Sequence, residues 1–384
     1  MKNFVFKIGS AIRDYVRETD KMLLVMAIML SILSCTLQYS LATAGAIQWR
    51  PFYMQIASSC VGIVAAIIIS LIDYHTLAKL WKLYVPIILI LIGLTLFTPL
   101  GSMRNGDGMG SDDRILLNIG FMDIQPFEFL KLGFILTFSL HASSVRDHIN
   151  QPKTLLFLIL HGLVPIGLGF LSGDYGTMLV FILIFLCILF TSGLSWKLIL
   201  PGLGAAVIAG FVFFNFVMDD YLQKRFLLSD EYLYENRLGD TLQQYWGKIT
   251  LGSGQLTGKG LLSDKLITTT PELYNDFIFA HVGQVFGFVG CIALVIWIMV
   301  MCIKLIINAR SADDPLGSYI SVGVFAVLFF QSVINIGMVL CVLPVIGIPL
   351  PFVSAGGTSA LTTYMILGLA LSVRMNTTKK DHLF

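Results

Sequence analysis

Charged residues are what this sequence has least of. Asp, Glu, Lys and Arg make up 12% of its 384 residues, against roughly 25% in soluble globular proteins. Hydrophobic residues make up 56%, and the mean hydropathy is +0.83. These values exclude an ordinary soluble domain and predict an all-α polytopic membrane protein. The net charge is only +2 and there is no basic run, which argues against nucleic-acid binding.

Cysteines are also few, and they are scattered. The six are Cys35, Cys60, Cys187, Cys291, Cys302 and Cys341. They lie inside apolar runs or close to the end of one, and their spacing gives neither a disulfide framework nor a zinc site. We therefore expect them to be small packing residues. No cleavable signal peptide is predicted, because the charged residues 1–21 precede a full-length apolar run.

Long apolar runs recur along the chain, each close to the 20 or so residues that cross a bilayer core. They predict about ten transmembrane helices, at 22–42, 51–72, 81–100, 126–145, 154–172, 175–193, 197–218, 277–307, 316–343 and 350–374. We expect a cytoplasmic segment at 1–21, one membrane domain at 22–376 and a cytoplasmic tail at 377–384. Residues 219–276 are expected to form a large extracytoplasmic loop between spans 7 and 8.

Basic residues in the short connections orient the chain, because they collect on the cytoplasmic side of membrane proteins. One side holds Lys2, Lys7, Arg13, Arg17, Lys21, Lys79, Lys82, Arg146, Lys153, Lys197, Lys304, Arg310, Arg374, Lys379 and Lys380. The short connections of the other side hold Arg50, Arg104 and Arg114. Both termini are therefore predicted inside, and the 219–276 loop outside.

Asp276 marks the sharpest boundary in the sequence. The polar, charged stretch from residue 251 ends there, and Phe277 opens a long apolar run. Asn275 and Asp276 are both good helix N-caps, although Phe279 is not the Glu or Gln of a capping box. From the residues alone, capping of the eighth span is favoured over a catalytic role.

Other polar residues stand at the predicted outer ends of spans. Glu128 and Lys131 share one helical face. Because charges within a span are costly, they form either an internal ion pair or the wall of a polar cavity. Asp174 is expected first as the N-cap of the sixth span. Arg114 and Arg225 are solvated loop charges by default, or they hold an anionic headgroup.

Two glycine-rich segments suggest close backbone approach. Residues 252–260, GSGQLTGKG, fail the Walker pattern because Gly260 stands where Ser or Thr is required. Their glycines and Lys259 still suit an anionic group such as a lipid pyrophosphate. Residues 335–359 interrupt apolar sequence with three prolines, which predicts non-helical, site-lining backbone. His161 and His281 lie in apolar surroundings and are expected to be hydrogen-bonded packing residues.

Several blocks, in order along nearly the whole chain, resemble the SEDS family (shape, elongation, division and sporulation) of RodA-like proteins. The blocks are QPFEFLKL, GDYGT, DYLQKR, GSGQLTGKG, PELYNDFIFAHVGQVFGFVG and NIGMVLCVLPVIGIPLPFVSAGGTS. The resemblance implies a peptidoglycan glycosyltransferase that polymerises lipid II at the outer face of the cytoplasmic membrane. It implies a class B penicillin-binding protein as the transpeptidase partner. The family serves elongation, division and sporulation alike.

The resemblance also assigns site residues. Asp276 matches the family's catalytic Asp, which reverses the ranking that the local pattern gives. Further motif positions near the outer cavity are Glu128, Lys131, Asp174, Arg225, Lys259, Ser354, Gly356 and Gly357. Together with Arg114, the cations among them are expected to bind the pyrophosphates of the substrate.

The sequence departs from the family pattern beyond Asp276. Gln284 and Val285 stand where two acidic residues are usual, which removes negative charge from that stretch. No cofactor is certain, and a divalent cation, Mg²⁺ or Mn²⁺, is left open.

A lipid II flippase or other lipid transporter would also have ten spans with intramembrane charges. A non-catalytic scaffold of the wall-synthesis complex is the third alternative.

Overall fold

The protein is mainly helical, as its apolar composition predicts. The computed structural model describes residues 19–103, 114–118, 120, 123–217, 230–237, 239 and 241–381. The helices in those ranges are α1 (Lys21–Thr43), α2 (Trp49–Leu71), α3 (Tyr74–Lys79), α4 (Trp81–Phe97), α5 (Pro126–Ser144), α6 (Pro152–Leu171), α7 (Tyr175–Thr191), α8 (Trp196–Val212), α9 (Asp230–Glu235), α10 (Leu242–Gly252), α11 (Ile278–Ser311), α12 (Pro315–Val339) and α13 (Gly357–Asp381). A 3₁₀ turn covers Arg146–His148, and a π-helical turn, Phe213–Val217, follows α8.

Length and composition make this a multi-pass membrane protein. Helices α1, α2, α6, α11 and α12 are long and apolar enough to cross a bilayer, and α4 and α7 are apolar but shorter. Large apolar side chains cover the outside of the bundle, with Phe97 81%, Phe216 79% and Val207 72% exposed. Soluble monomers rarely expose such patches. A helix overlaps each predicted span, whereas the count of ten crossings and the side on which 219–276 lies stay predictions.

A small antiparallel sheet follows α4, in the connection between the predicted spans 81–100 and 126–145. Its strands are β1 (Gly101–Met103), β2 (Arg114–Asn118) and β3 (Asp123–Ile124), in the order β1-β2-β3. Ile115 and Leu117 are buried on one face of the central strand. This two-residue alternation is the pattern of a half-buried strand. The strand is too short to be recognised in the sequence next to the long apolar runs of the helices.

Helix α13 occupies the centre of the bundle, because its residues from Thr358 to Met375 are largely buried. It runs parallel to α2, to which it is joined at both ends. The Gly356 N–H donates to Gln55 Oε1 at 3.3 Å, and the Ser372 hydroxyl donates to the Ile72 carbonyl at 2.6 Å. The helix continues to Asp381, past residue 377, where we predicted a separate tail to begin.

Helix α11 packs antiparallel to α1. An ion pair of 3.2 Å joins Lys304 to Asp20 at one end, and the Trp297 indole N–H donates to the Met26 carbonyl further along. Asp20 also caps α1 by accepting from the Leu23 N–H at 3.2 Å. These contacts fix the register of the two helices at the start of α1.

Residues 340–356 have no helix, as the proline-rich pattern predicts. Helix α12 ends at Val339, earlier than the predicted 343, and α13 begins at Gly357 rather than at 350. Pro344, Pro349 and Pro351 lack the N–H that would continue a helix. From Pro344 onward the segment is nevertheless largely buried, with Leu350 1% and Val353 0% exposed, so its backbone polar groups require partners from the protein.

Candidate functional site

Four helices begin beside the buried segment 340–356, and we call this end of the bundle the site end. The Gln125 amide, just before α5, lies 3.4 Å from Asp174 Oδ2, just before α7. The Gln125 N–H donates to the Thr358 hydroxyl in the first turn of α13. The Ala355 N–H donates to the Tyr274 carbonyl, shortly before α11. Helix N-termini carry partial positive charge, so their convergence favours an anionic ligand.

Asp276 lies in this convergence, and its backbone is held firmly. Its carbonyl accepts from Asn335 Nδ2 of α12 at 2.8 Å, and the same amide donates to the Ile348 carbonyl at 2.8 Å. The neighbouring Asn275 carbonyl accepts from the Ser354 hydroxyl at 2.7 Å. Asp276 is only 5% exposed, so these contacts fix a carboxylate in a largely enclosed position.

The position of Asp276 differs from the capping interpretation. Helix α11 begins at Ile278 and its N-cap residue is Phe277, one residue beyond Asp276. The prediction that Asp276 is the N-cap is therefore wrong, because the turn at 271–277 carries the chain into the helix one residue later. The carboxylate still lies within a turn of the helix N-terminus, where negative charge is stabilised.

Asp174 is the helix cap that the sequence predicts. Its Oδ1 accepts from the Thr177 N–H at 2.8 Å at the start of α7. Its other oxygen faces the Gln125 amide, and the first turn of α7 packs against the carbonyl of Ile346 at Gly176. Asp174 therefore positions α7 against the segment 340–356.

Glu128 and Lys131 form the internal ion pair that was one of the two alternatives. Lys131 Nζ lies 2.7 Å from Glu128 Oε1, and the side chains are 2% and 3% exposed. The second glutamate oxygen accepts from the Thr362 hydroxyl of α13 at 3.0 Å. The pair thus joins α5 to α13 one turn inside the site end, where each charge is compensated by the other.

Ser354, Gly356 and Gly357 connect the buried segment to α13. The Ser354 hydroxyl accepts from the Leu350 N–H at 2.7 Å while it donates to Asn275. The Gly356 N–H binds Gln55 of α2, and Gly357 is the first residue of α13. Ser354 and Gly356 therefore position the backbone of the site through these contacts, independently of any contact with a ligand.

Lys259 is not brought to Asp276. The Lys259 N–H donates to the Gln284 carbonyl at 2.9 Å, and its Nζ donates to the Lys265 carbonyl at 3.0 Å. Gln284 lies eight residues beyond Asp276 along α11, or about 12 Å at 1.5 Å per residue. The close backbone approach predicted for residues 252–260 is real, and its partner is the backbone of α11.

The predicted arginines fall at the edge of the described structure. The backbone of Arg114 lies in β2, paired with Met103, and its side chain lies outside the described part of the chain. The sheet borders the site, because the Asp123 carbonyl of β3 accepts from the Thr358 hydroxyl at 3.4 Å. Arg225 lies outside the described residues.

No metal centre is formed by the protein's own side chains where the structure describes them. Among those residues, no group of three or more His, Cys, Asp and Glu lies together so that it could hold an ion. The divalent cation that the resemblance leaves open thus has no ready set of ligands in the described ranges.

Three residues of the site were missed by the sequence analysis. Asn335, Gln55 and Thr362 lie inside apolar helices and are buried, and each contacts a residue or segment assigned to the site. The signal was a polar side chain within an apolar run, since such residues face the bundle interior and mark polar sites.

Comparisons with known proteins show which family the chain resembles. The model of the FtsW, RodA and SpoVE family, described as a cell cycle protein, matches residues 19–379. Peptidoglycan glycosyltransferase MrdB of Escherichia coli is 32% identical over 265 residues, which cover 67% of this chain and 70% of the relative. Stage V sporulation protein E of Bacillus subtilis is 30% identical over 328 residues, covering 83% and 85%.

Solved structures share the fold. A chain of a peptidoglycan synthase complex, whose structure concerns the coordination of polymerization and crosslinking, superimposes with a TM-score of 0.76 at 23% identity and covers 94% of this chain and 98% of that one. The rod shape determining protein RodA of Thermus thermophilus gives a TM-score of 0.67 at 23% identity, covering 93% and 96%. At these identities the likeness supports the fold alone.

Proposed function

Because this chain belongs to the cell cycle protein family of FtsW, RodA and SpoVE, we propose that it is a peptidoglycan glycosyltransferase that polymerises lipid II. The name of its Escherichia coli relative, peptidoglycan glycosyltransferase MrdB, supports the activity. The reaction takes place at the outer face of the cytoplasmic membrane, with both termini inside and residues 219–276 outside. The basic residues of the short connections support this orientation.

Asp276 acts as the general base. The 4-hydroxyl oxygen of the acceptor sugar attacks the anomeric carbon of the donor, and the bond from that carbon to the pyrophosphate oxygen breaks. The hydroxyl proton passes to the Asp276 carboxylate, and undecaprenyl pyrophosphate leaves. A positioned base of this kind typically contributes about 10²- to 10⁴-fold. The energy comes from the pyrophosphate bond of the donor, so no nucleotide is required.

The observation that carries this role is the enclosed, fixed position of Asp276. Asn335 and Ser354 hold the backbone of residues 275 and 276 by contacts of 2.8 and 2.7 Å. A general base must be held within hydrogen-bonding reach of the proton that it takes. The N-termini of α5, α7, α11 and α13 at the same end stabilise the leaving pyrophosphate by their partial positive charge.

The other residues predicted to bind the substrate differ in the observations that support this role. Glu128, Lys131, Asp174, Ser354, Gly356 and Gly357 lie at or one turn inside the site end, and their proposed role in substrate binding rests on that location. Arg114 and Arg225, whose side chains lie outside the described part of the chain, are proposed to bind the pyrophosphates because of their charge. Lys259 binds an anionic group only where the substrate extends along α11, since its backbone is fixed about 12 Å from Asp276 along the helix.

Polymerisation by the purified protein tests the role of Asp276. Asp276→Ala and Asp276→Asn should lower the rate of glycan formation from lipid II by at least about 10²-fold. Asp264→Ala, an exposed acid in the same loop, should leave it unchanged. The melting temperature of each variant checks the fold. Parent rates in both Asp276 variants would show that another group is the base.

The rival functions predict different results. A lipid II transporter would move lipid II across vesicle membranes without forming glycan. A scaffold would retain cell-shape function with Asp276 replaced. A class B penicillin-binding protein is the proposed partner, because the chain belongs to the family of FtsW, RodA and SpoVE. Polymerisation should therefore rise when the cognate transpeptidase is added, which a titration of the partner measures.

A further inference from the structure

A second cavity lies between α4, α5 and α6, away from Asp276. Its volume is about 440 Å³, within the range of small-molecule sites. Trp81 and Leu89 line it from α4, Leu130 and Ser144 mark its limits along α5, and Pro165 lines it from α6. We call it the α4–α6 groove. The proposed glycosyl transfer uses none of these residues.

A chain of hydrogen-bonding side chains follows the wall of the groove. His161 Nε2 lies 3.3 Å from the Thr137 hydroxyl, and His161 Nδ1 lies 3.1 Å from His141 Nδ1. One ring must donate and the other accept. His161, expected to be a packing residue, is therefore half of a histidine pair that lines an open groove in an apolar bundle.

The polarity of the groove changes along its length. Leu130, Phe134 and Leu89 make one end apolar, whereas His141 and Ser144 lie towards the other. From Leu130 to Ser144 the groove follows α5 for about 21 Å. Half of a bilayer hydrocarbon core is about 15 Å thick. An acyl chain and the first polar groups of one leaflet lipid fit this length and this gradient.

Positive charge surrounds the polar end. Lys82 lies beside Trp81, with Nζ 6.0 Å from the ring centroid. Arg146 lies two residues after Ser144, the last residue of α5, and Lys153 is the second residue of α6. All three are exposed, and the distribution of basic residues predicts this end to be cytoplasmic. Tryptophan is typical of the headgroup level of a membrane.

We propose that the α4–α6 groove binds an anionic phospholipid of the cytoplasmic leaflet. The acyl chain lies against Leu89 and Phe134, and the phosphate lies at the end formed by Trp81, His141 and Ser144. The charge of Lys82 and Arg146 favours an anionic over a zwitterionic headgroup, since basic residues next to the membrane attract anionic lipids. This inference does not depend on the proposed glycosyltransferase activity.

Lipid retention in detergent tests the proposal. The full chain is incubated with equal amounts of phosphatidylglycerol and phosphatidylcholine of identical acyl chains, and bound lipid is counted by native mass spectrometry. We expect about tenfold preference for phosphatidylglycerol, equivalent to ~1.4 kcal/mol. Val164→Trp, which fills the groove, should abolish the preference, and Lys82→Ala with Arg146→Ala should reduce it severalfold. Val207→Trp places the same side chain on the lipid-facing surface of α8 and should change nothing.

A second measurement uses the unmodified protein. Phosphatidylglycerol with a photoreactive acyl chain should label peptides from α5 and α6 that line the groove, and leave α8 unlabelled. Equal labelling of α8 would show an ordinary lipid-facing surface and overturn the proposal. Displacement of the phosphatidylglycerol by undecaprenyl phosphate at a lower concentration would also overturn it, because the groove would then select the isoprenoid lipid.

Discussion

Asn335 and Ser354 hold the chain around Asp276 from two sides. The asparagine amide bridges the carbonyls of Asp276 and Ile348, and the serine hydroxyl bridges Leu350 and Asn275. Both residues are buried. Their contacts are to backbone, so in the proposed reaction they would act through the position of the Asp276 carboxylate.

Replacement of Ser354 should therefore lower kcat more than it changes KM. Ser354→Ala removes the contact with Asn275, and a displacement of about 1 Å at a reacting group can cost up to roughly 10²-fold. Steady-state polymerisation of lipid II measures the two constants. Ser332→Ala is the control, because within the described ranges that buried hydroxyl donates to the Leu328 carbonyl of its own helix and to no other group. If Ser354→Ala raises KM and leaves kcat unchanged, Ser354 contacts the substrate instead.

Gln284 stands where the family usually has an acidic residue, and its amide has a structural role. Oε1 accepts from the Ile267 N–H at 2.7 Å, and Nε2 donates to the Ile267 carbonyl at 3.3 Å. A carboxylate can reproduce the first contact only. Gln284 also lies about 12 Å from Asp276 along α11. The presence of Gln instead of an acid at position 284 therefore affects the loop at 253–267 more directly than it affects the proposed base.

Gln284→Glu should accordingly destabilise the protein. It removes the donor to the partly buried Ile267 carbonyl and places an acid at position 284, which is fully buried. A lost buried hydrogen bond costs about 1–3 kcal/mol, and more if the acid is charged. Thermal unfolding in detergent measures the loss. Gln255→Glu makes the same change at an exposed position and should leave the melting temperature within error of the parent. Equal melting temperatures for both variants would contradict the role of the Gln284 amide.

At the scale of elements, the loop at 254–260 provides hydrogen-bond partners for the backbone of α11 where that helix is interrupted. Gly287 has φ +67° and ψ −167°, outside the helical region. The N–H groups of Lys259 and Gly260 donate to the carbonyls of Gln284 and Val285 before the break. After it, the N–H groups of Phe288 and Val289 donate to carbonyls of the loop. An interrupted helix in a membrane protein requires such partners.

Gly258 should be far less tolerant of a side chain than Gly260. Both have left-handed φ, +83° and +90°, which costs a non-glycine residue about 1–2 kcal/mol. At Gly258 a Cβ would also collide with the Val285 carbonyl, whereas at Gly260 it meets no atom within 4 Å. Melting temperatures of Gly258→Ala and Gly260→Ala compare the two. A similar loss in both would mean that the loop moves away from α11 at little cost.

Local sequence patterns predicted the secondary-structure elements well, but they did not predict all of the contacts between those elements. Apolar run length located the long helices, and spacing of three residues located the Glu128–Lys131 pair. The pairing of residues 254–260 with α11 could not be predicted from local sequence, because the paired residues lie about 25–33 positions apart in the chain. Asp174 was predicted as a cap, while Asp276 moved off the cap position because the turn before α11 extends to Phe277.

At the scale of the whole molecule, the end opposite the site has its own polar contacts. His75 in α3 lies 2.6 Å from Asp314 and 3.0 Å from Asp73. Asp314 also accepts from the Tyr74 hydroxyl and caps α12 through the Gly317 N–H. The cluster joins the start of α3 to the start of α12, which lie 239 residues apart in sequence. It stabilises the packing of distant helices without touching Asp276.

This cluster should make stability depend on pH. Burial by itself would lower the pKa of His75, but the hydrogen bonds to Asp73 and Asp314 and their charges outweigh it and raise the pKa above 6.5. Burial likewise would raise the pKa of Asp314, yet the Gly317 N–H, Tyr74 and His75 lower it below 3.8. The stabilisation from His75 is complete below pH 6.5 and is lost as pH rises through the raised pKa. That from Asp314 is complete above pH 3.8 and is lost on acidification through the lowered pKa.

The melting temperature should therefore fall between pH 6 and 9 by more in the parent than in His75→Gln. His148→Gln is the matched control, since His148 is an exposed histidine on the 3₁₀ turn after α5, and it should retain the parent's pH dependence. The effect is modest, because the His75 side chain is 38% exposed and solvent screens such pairs. Glycan formation at fixed pH should be unchanged in His75→Gln at temperatures well below unfolding, since the cluster and Asp276 lie at opposite ends of the bundle. A parallel loss of activity and pH dependence would show that the two ends are coupled.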